Sequence, residues 1–415
     1  MSKFITLPDD CLYQIFSKLS LVDQVKCSEV CWRFHSTISC MIWRVKYKNF
    51  KTNSDIFNPL TNPDYQRVFT AIVKYIEELN IVETRNHAFA SYLGRYTYRP
   101  ELGYYFRFDY EHLNSFICDD SSLHDGYVRI LAGCCPNIKK LHVSSEHVTG
   151  EYISLFNHLE VLYMPHCSIK QNIFNELCCK FKLTHLDIRA CELDISILYK
   201  KPNTTLIELA ICSKKSFTTN CIQNFENFLK LKYLKLDDII YDDRTENFIK
   251  SIVHNIKEVQ YFIRFETNQR KFQGEILPKM TKLKKLYMWF NGYFTSPFDN
   301  DSLEELHLIH LYKHQCDQSW MPNLKNLKHI YLGAGVDLIS VTKHWLINLI
   351  SQIQSGAGNP LVLHLFKTEI DYSEEGSENY YIDFLNHVKH IVTVKHDIPE
   401  THQFEKNSFI HFEFY

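Results

Sequence analysis

Three histidines, His307, His310 and His314, stand close together and are the first place to look for a metal site. Imidazole suits zinc, but zinc sites usually complete their ligand set with cysteines, and no C-x-x-C pair accompanies these three. With 21 histidines in the chain, such a cluster arises by chance. Cys134–Cys135 and Cys178–Cys179 are adjacent pairs at the ends of predicted helices, a poor geometry for sharing one metal and a good one for packing. GAGVDL at 333–338 begins like a dinucleotide-binding loop, yet Leu338 occupies the place of the third glycine. There is no Walker loop, no G-x-S-x-G and no H-E-x-x-H. A cysteine–histidine nucleophile is left open by the residue types, but no spacing selects a particular thiol. The expectation is a non-catalytic protein with no cofactor, no metal and no catalytic residue.

Bulk properties narrow the alternatives. Lys and Arg number 46 against 48 Asp and Glu, a formal charge of −2, which supplies no field to attract nucleic acid or an anionic membrane. At 45% hydrophobic the 415 residues can bury a large core. No stretch approaches the roughly 20 apolar residues of a membrane span, and the acids of MSKFITLPDD interrupt any secretory signal. The fourteen cysteines therefore read as reduced thiols, in cytosol or nucleus.

The elements that could organise a binding surface begin at the N-terminus. Pro8 suits the start of a helix and Asp9 and Asp10 its positive end, after which Leu12, Ile15, Phe16 and Leu19 form one stripe. Ser20 and Asp23 have the spacing of a capping box for a second helix running toward Val30. A third short helix carries Trp32, Phe34 and Ile38, with Trp43 just beyond. Three helices in about 40 residues cannot bury this many large side chains among themselves. They either cap the following domain or keep an apolar surface for a partner.

The order Leu-Pro, Ile-Phe-x-x-Leu, Val-Cys-x-x-Phe and then Trp43 resembles the F-box, and residues 4–47 cover essentially that whole motif. Phe34 stands where that family more often has Trp, and Cys11 where Leu is common. The resemblance implies docking onto a Skp-family adaptor and, through it, a cullin–RING ubiquitin ligase of the SCF type. Carried onto matching positions, Leu7, Pro8, Leu12, Ile15, Phe16, Leu19, Val30, Cys31, Phe34 and Trp43 would form or support that contact.

Beyond residue 70 an apolar-x-x-apolar-x-apolar phrase recurs. It reads IEELNI at 76–81, LNSFIC at 113–118, IKKLHV at 138–143, LEVLYM at 159–164, LTHLDI at 183–188 and LIELAI at 206–211. It continues as LKYLKL at 231–236, IKEVQY at 256–261, LKKLYM at 283–288, LEELHL at 303–308 and LKHIYL at 327–332, with weaker copies at 361–366 and 390–394. The period of roughly 20 to 27 residues between Phe116 and Ile330 is that of leucine-rich repeats. The spacers read as helices: Ser122 and Asp125 cap one that Gly133 ends, and Ile169, Ile173, Phe174 and Leu177 line another. The fold expected is α/β: a small three-helix module at 1–50, a linker with first helices at 51–75, and a leucine-rich-repeat solenoid at 76–400 with an insertion at 85–112. Residues 401–415 form a closing cap or a tail folded back. The insertion is either extra core or a loop that meets a partner. Cys118, Cys167, Cys191 and Cys212 fall near the turn after a strand, as in the cysteine-containing class of these repeats that the chain resembles, and read as packed thiols.

On each strand the residues between the leucine-type positions face away from that core. Tyr233, Lys235, Phe262, Tyr287, Trp289, His307, Tyr331, His364 and Phe366 are the candidates for holding a protein target, unless the chain itself covers them. Arg189 with Lys140 and Lys235 is a thin version of a phosphate-binding nest. The partners expected are the adaptor and an unidentified protein target, with no nucleic acid and no membrane. A scaffold outside any ligase, or a solenoid with a small-molecule pocket, is the alternative.

Overall fold

Leucines recurring one per repeat, each followed by an outward residue and another apolar one, build a stack of short parallel strands. The computed structural model describes residues 6–53, 63–82, 100–195, 197–200, 205–212, 228–237, 243–262, 271–289, 299–309, 324–332, 346–351, 353, 361–365 and 393–395. The chain divides into two compact units, Met1–Leu183 and Thr184–Tyr415.

The first unit opens with helices α1 (Asp9–Phe16), α2 (Leu21–Ser28) and α3 (Trp32–Ser36), a π-helical segment Thr37–Trp43, and the single turn α4 (Arg44–Lys46). Ser20 caps α2 by accepting from the Asp23 N–H at 3.2 Å, as the capping-box spacing requires. Strands β1 (Asn49–Asn53), β2 (Glu78–Val82), β3 (Ser115–Asp119), β4 (Lys140–Val143) and β5 (Val161–Tyr163) follow, each parallel to the next. Phe50, Leu79, Phe116, Leu141 and Leu162 lie opposite one another in register, buried in one row. Each fully buried side chain of that row contributes roughly 1.5–3 kcal/mol.

β1 is an element the sequence pattern does not announce. NFKTN carries one large apolar residue, and its strand state comes from pairing with β2 rather than from its own propensity. Helix α5 (Pro63–Ile72) and the turn after it pack Val68, Phe69, Ile72 and Val73 inward. The described part of the tyrosine-rich insertion packs into the core: α6 (Pro100–Tyr105) and the turn after it bring Tyr104, Tyr105, Phe108 and Tyr110 around the Phe69 ring at 5.1–6.4 Å. Helix α7 (Asp125–Cys134) starts later than the Ser122 cap suggests. His124 is its cap, with Nδ1 accepting from the Gly126 N–H, while Ser122 donates to Asp120 and the Asp125 carboxylate accepts from Thr149. Gly133 lies inside that helix and Cys135 follows it as the C-cap. Helix α8 (Gln171–Lys180) buries Phe174 and Leu177 as its periodicity predicts.

The second unit contains β6 (His185–Asp187), β7 (Glu208–Cys212), β8 (Tyr233–Asp237), β9 (Glu258–Phe262), β10 (Lys285–Trp289), β11 (Glu305–Ile309), β12 (His329–Leu332), β13 (Val362–Leu365) and β14 (Thr393–Lys395). All pair in parallel and in chain order. Leu186, Leu209, Leu234, Val259, Leu286, Leu306, Ile330 and Leu363 form its buried row, each at most 1% exposed. Helix α9 (Ile197–Lys200) lies between β6 and β7, and α10 (Asp243–Ile252) between β8 and β9. Ahead of β11 the buried Asn300 amide donates to the carbonyls of Leu277 and Met280, closing a turn that has no regular structure to satisfy it. Cys118, Cys167 and Cys191 are buried and Cys212 half-buried, and the Cys167 thiol donates to the Val143 carbonyl.

Candidate functional site

The N-terminal helices divide the residues expected at an adaptor surface into two groups. Leu12, Phe16, Phe34 and Trp43 are buried within the chain, with the Phe16 and Phe34 rings edge-on at 4.9 Å. The centre is polar as well as apolar. Gln24, fully buried, donates its amide to the carbonyls of Phe16 and Leu19, both at 3.1 Å, and accepts from the Trp43 indole N–H at 3.0 Å. One side chain thereby satisfies the C-terminal end of α1 and locks the π-helical segment onto it. Arg33 binds Asp9 and the Leu7 carbonyl, fixing the chain entry against α3.

The remaining residues reach the surface. Pro8 is exposed, Leu7, Leu19 and Cys31 are half-buried, and Ile15 and Val30 are 37% and 51% exposed. Three apolar side chains outside the expected set join them: Trp32 at 80%, Met41 and Val45. A signal for Trp32 was present in the sequence. Residues two apart on a helix point to nearly opposite sides, so Trp32 and Phe34 cannot both face inward. Met41 and Val45 had none, because a π-turn shifts the register that helical spacing assumes.

In the second unit the face opposite the leucine row carries the other candidates. Its β6–β9 end is an ion-pair lattice. Lys235 binds Glu208 at 2.9 Å, and Arg189 grips Asp187 through its Nε and terminal nitrogens at 2.7–3.1 Å. Burial by itself would raise the Asp187 carboxyl, but the guanidinium beside it holds it below the usual range. Of the cations read as a thin phosphate nest, the two in this unit, Arg189 and Lys235, are engaged by Asp187 and Glu208. Tyr233 is half-buried.

Its β10–β13 end is a ladder of rings. Tyr287, His307, Tyr331 and His364 stack in succession at 4.1, 4.1 and 4.2 Å, with interplanar angles of 18°, 2° and 9°. The register of the parallel strands sets this spacing, since one residue of each strand stands directly beside the next. His307, Tyr331 and His364 are at most 4% exposed, so these rings pack against each other and not against water. Burial raises the Tyr331 phenol to about 12 and moves Tyr287 in the same direction, so both stay neutral. The Phe262 and Trp289 side chains and all of Phe366 lie outside the described residues, as do His310, His314 and 333–338. Among the described residues no cluster of three His, Cys, Asp or Glu side chains could hold a metal, and no helix is long and apolar enough to cross a membrane.

Burial opposes the charge of Glu305, yet the His307 imidazole at 3.7 Å and the Lys285 ammonium at 3.0 Å bring its carboxyl down to about 2. Its contribution is complete above the ordinary glutamate pKa near about 4.3 and disappears as pH falls through that lowered value. Between these limits the urea midpoint should fall with falling pH in wild type and change less in Glu305→Gln. Equal acid dependence in both proteins would contradict the assignment.

Residues 4–44 match the F-box domain. The match ends inside the N-terminal helices, one residue past Trp43, and no curated protein matches the chain. The F-box domain is thus the module in which Gln24 and Trp43 form the centre, and its exposed apolar side chains are those of α1, the α2–α3 junction, the start of α3 and the π-helical segment.

Proposed function

We propose that this chain is the target-recognition subunit of an SCF-type ubiquitin ligase. Its F-box domain docks onto a Skp-family adaptor, and its parallel-strand repeats, read as a leucine-rich-repeat solenoid, hold a protein target. The observation that carries this reading is an F-box domain whose core is closed while Ile15, Val30 and Trp32 are left outside it. Exposed apolar side chains on so small a module fit a partner surface. The chain itself makes and breaks no bonds; it raises the concentration of target lysines near a charged conjugating enzyme. Cytosol or nucleus suits such a role.

Charged replacements separate contact from fold. Ile15→Asp and Trp32→Asp alter exposed side chains, so they leave the helices intact and weaken adaptor capture by on the order of 2 kcal/mol each, about thirtyfold. Phe16→Asp is a poor test because Phe16 is core and its charge would open the domain. Stoichiometric adaptor in a pull-down of the Ile15→Asp/Trp32→Asp protein would refute the docking surface. A scaffold outside the ligase is distinguished by target abundance, which should rise when cullin neddylation is inhibited and stay unchanged for a scaffold.

A further inference from the structure

The residue just ahead of each strand in the second unit belongs to a lateral ladder of its own. The backbone N–H of Lys232 donates to the Ile207 carbonyl, Lys257 to Lys232, Lys284 to Lys257, Glu304 to Lys284 and Lys328 to Glu304, all at 2.7–2.9 Å. Five successive rungs, about 4.8 Å apart, therefore read Lys, Lys, Lys, Glu, Lys. Glu304 answers the last two lysines, binding both Lys284 and Lys328. Lys232 and Lys257 are exposed and, among the described residues, have no carboxylate within ion-pair distance; the same holds for Lys230 and Lys282 two positions before their neighbours. The nearest acids along the strands are engaged elsewhere: Glu208 binds Lys235, and Glu258 faces Lys285 and Lys235.

Like charges on adjacent rungs repel one another, and nothing in the core requires lysine at these exposed positions. We infer that the Lys232–Lys257–Lys284 row is an interaction surface for an extended, carboxylate-rich segment of a protein partner. The inference rests on the reading that this unit holds a protein target, and it names the chemistry of that target. An ammonium is a point charge that selects density of negative charge rather than the planar geometry of one group. An extended chain advances about 3.4 Å per residue, so alternate or neighbouring Asp and Glu side chains can reach successive rungs. Nucleic acid fits the row less well, since Glu304 interrupts it and no arginine or aromatic residue shares its positions.

The test uses the full chain and fluorescence anisotropy with a labelled deca-glutamate peptide, a deca-glutamine peptide and a single-stranded oligothymidylate. Binding to the glutamate peptide should weaken with salt and fall roughly tenfold or more in Lys232→Glu/Lys257→Glu. It should persist in Lys232→Arg/Lys257→Arg and in a control reversal at the exposed Lys74 and Lys170. Equal binding of the glutamine peptide, stronger binding of the oligothymidylate, an unaffected Lys232→Glu/Lys257→Glu protein or an equal loss in the control would overturn the inference. Adaptor capture, measured on the same preparations, keeps the two readings apart. A wild-type chain that captures adaptor but does not bind the glutamate peptide sinks the lysine row alone, and one that binds the peptide but does not capture adaptor sinks only the docking proposal.

Discussion

Trp43→Ala should open the F-box domain, at a cost of about 3–5 kcal/mol. The indole is 1% exposed, and its N–H is the donor that Gln24 accepts. Removing it leaves a cavity beside His35 and Tyr75 and a buried amide oxygen with no partner. Trp43→Phe keeps much of the volume and loses only the hydrogen bond, so it should cost about 1–3 kcal/mol. Gln24→Leu should be comparable or worse, because the carbonyls of Phe16 and Leu19 and the indole N–H all lose their partner together. Hydrogen exchange of the amides in α1 and α2 reports this local opening without requiring the rest of the chain to unfold. All three variants should lose adaptor capture in proportion to the lost protection, whereas Ile15→Asp loses capture with protection intact. Unchanged exchange in Trp43→Ala would mean that the indole does not hold the domain together.

The second large effect lies at the Asp187–Arg189 pair, whose side chains are 6% and 9% exposed. Arg189→Met alone strands a buried carboxylate and should cost about 3–5 kcal/mol, whereas Asp187→Leu/Arg189→Met removes both charges and should recover most of it. A double-mutant cycle in urea measures the coupling. The Asp187 carboxyl lies below its ordinary pKa of about 3.9 in the folded chain, so its contribution is present above that value and fades as pH falls through the lowered one. Asp187→Asn should therefore be less stable than wild type at neutral pH and converge with it in acid. Additive single effects, or no convergence in acid, would show that the pair is not coupled.

The repeat phrases were legible because a strand with one buried face writes its period directly into the residue types. Each of the phrases between 76 and 332 contains or overlaps a parallel strand, and the leucine-type residue at its centre lies in a buried row. β1 was not legible, since Asn49–Asn53 is a strand only by virtue of the neighbour that pairs with it. The cap of α7 was misplaced for a related reason: Ser122 has a stronger local partner in Asp120, and the helix waits for His124.

The candidate sites divide along the same line. The resemblance to the F-box named its residues, because that motif is a contiguous run of positions that can be matched one by one. It could not say which of them seal the domain and which remain outside, since Gln24, a polar residue that no apolar pattern selects, closes the centre. Of the residues read as target-facing, all but Phe366, which lies outside the described residues, stand on strands, but whether a ring there meets water or another ring depends on what stands on the adjacent strand. His307 sits between Tyr287 and Tyr331 although the three are about 20 to 24 positions apart in sequence. The lysine row is the same case. Each lysine by itself is an ordinary surface residue, and only lateral pairing of residues far apart in the chain sets them side by side. Local periodicity follows from which residues a single element must bury, and the sequence determines that unaided. Adjacency between repeats follows from backbone hydrogen bonds across the sheet, which only the folded chain decides.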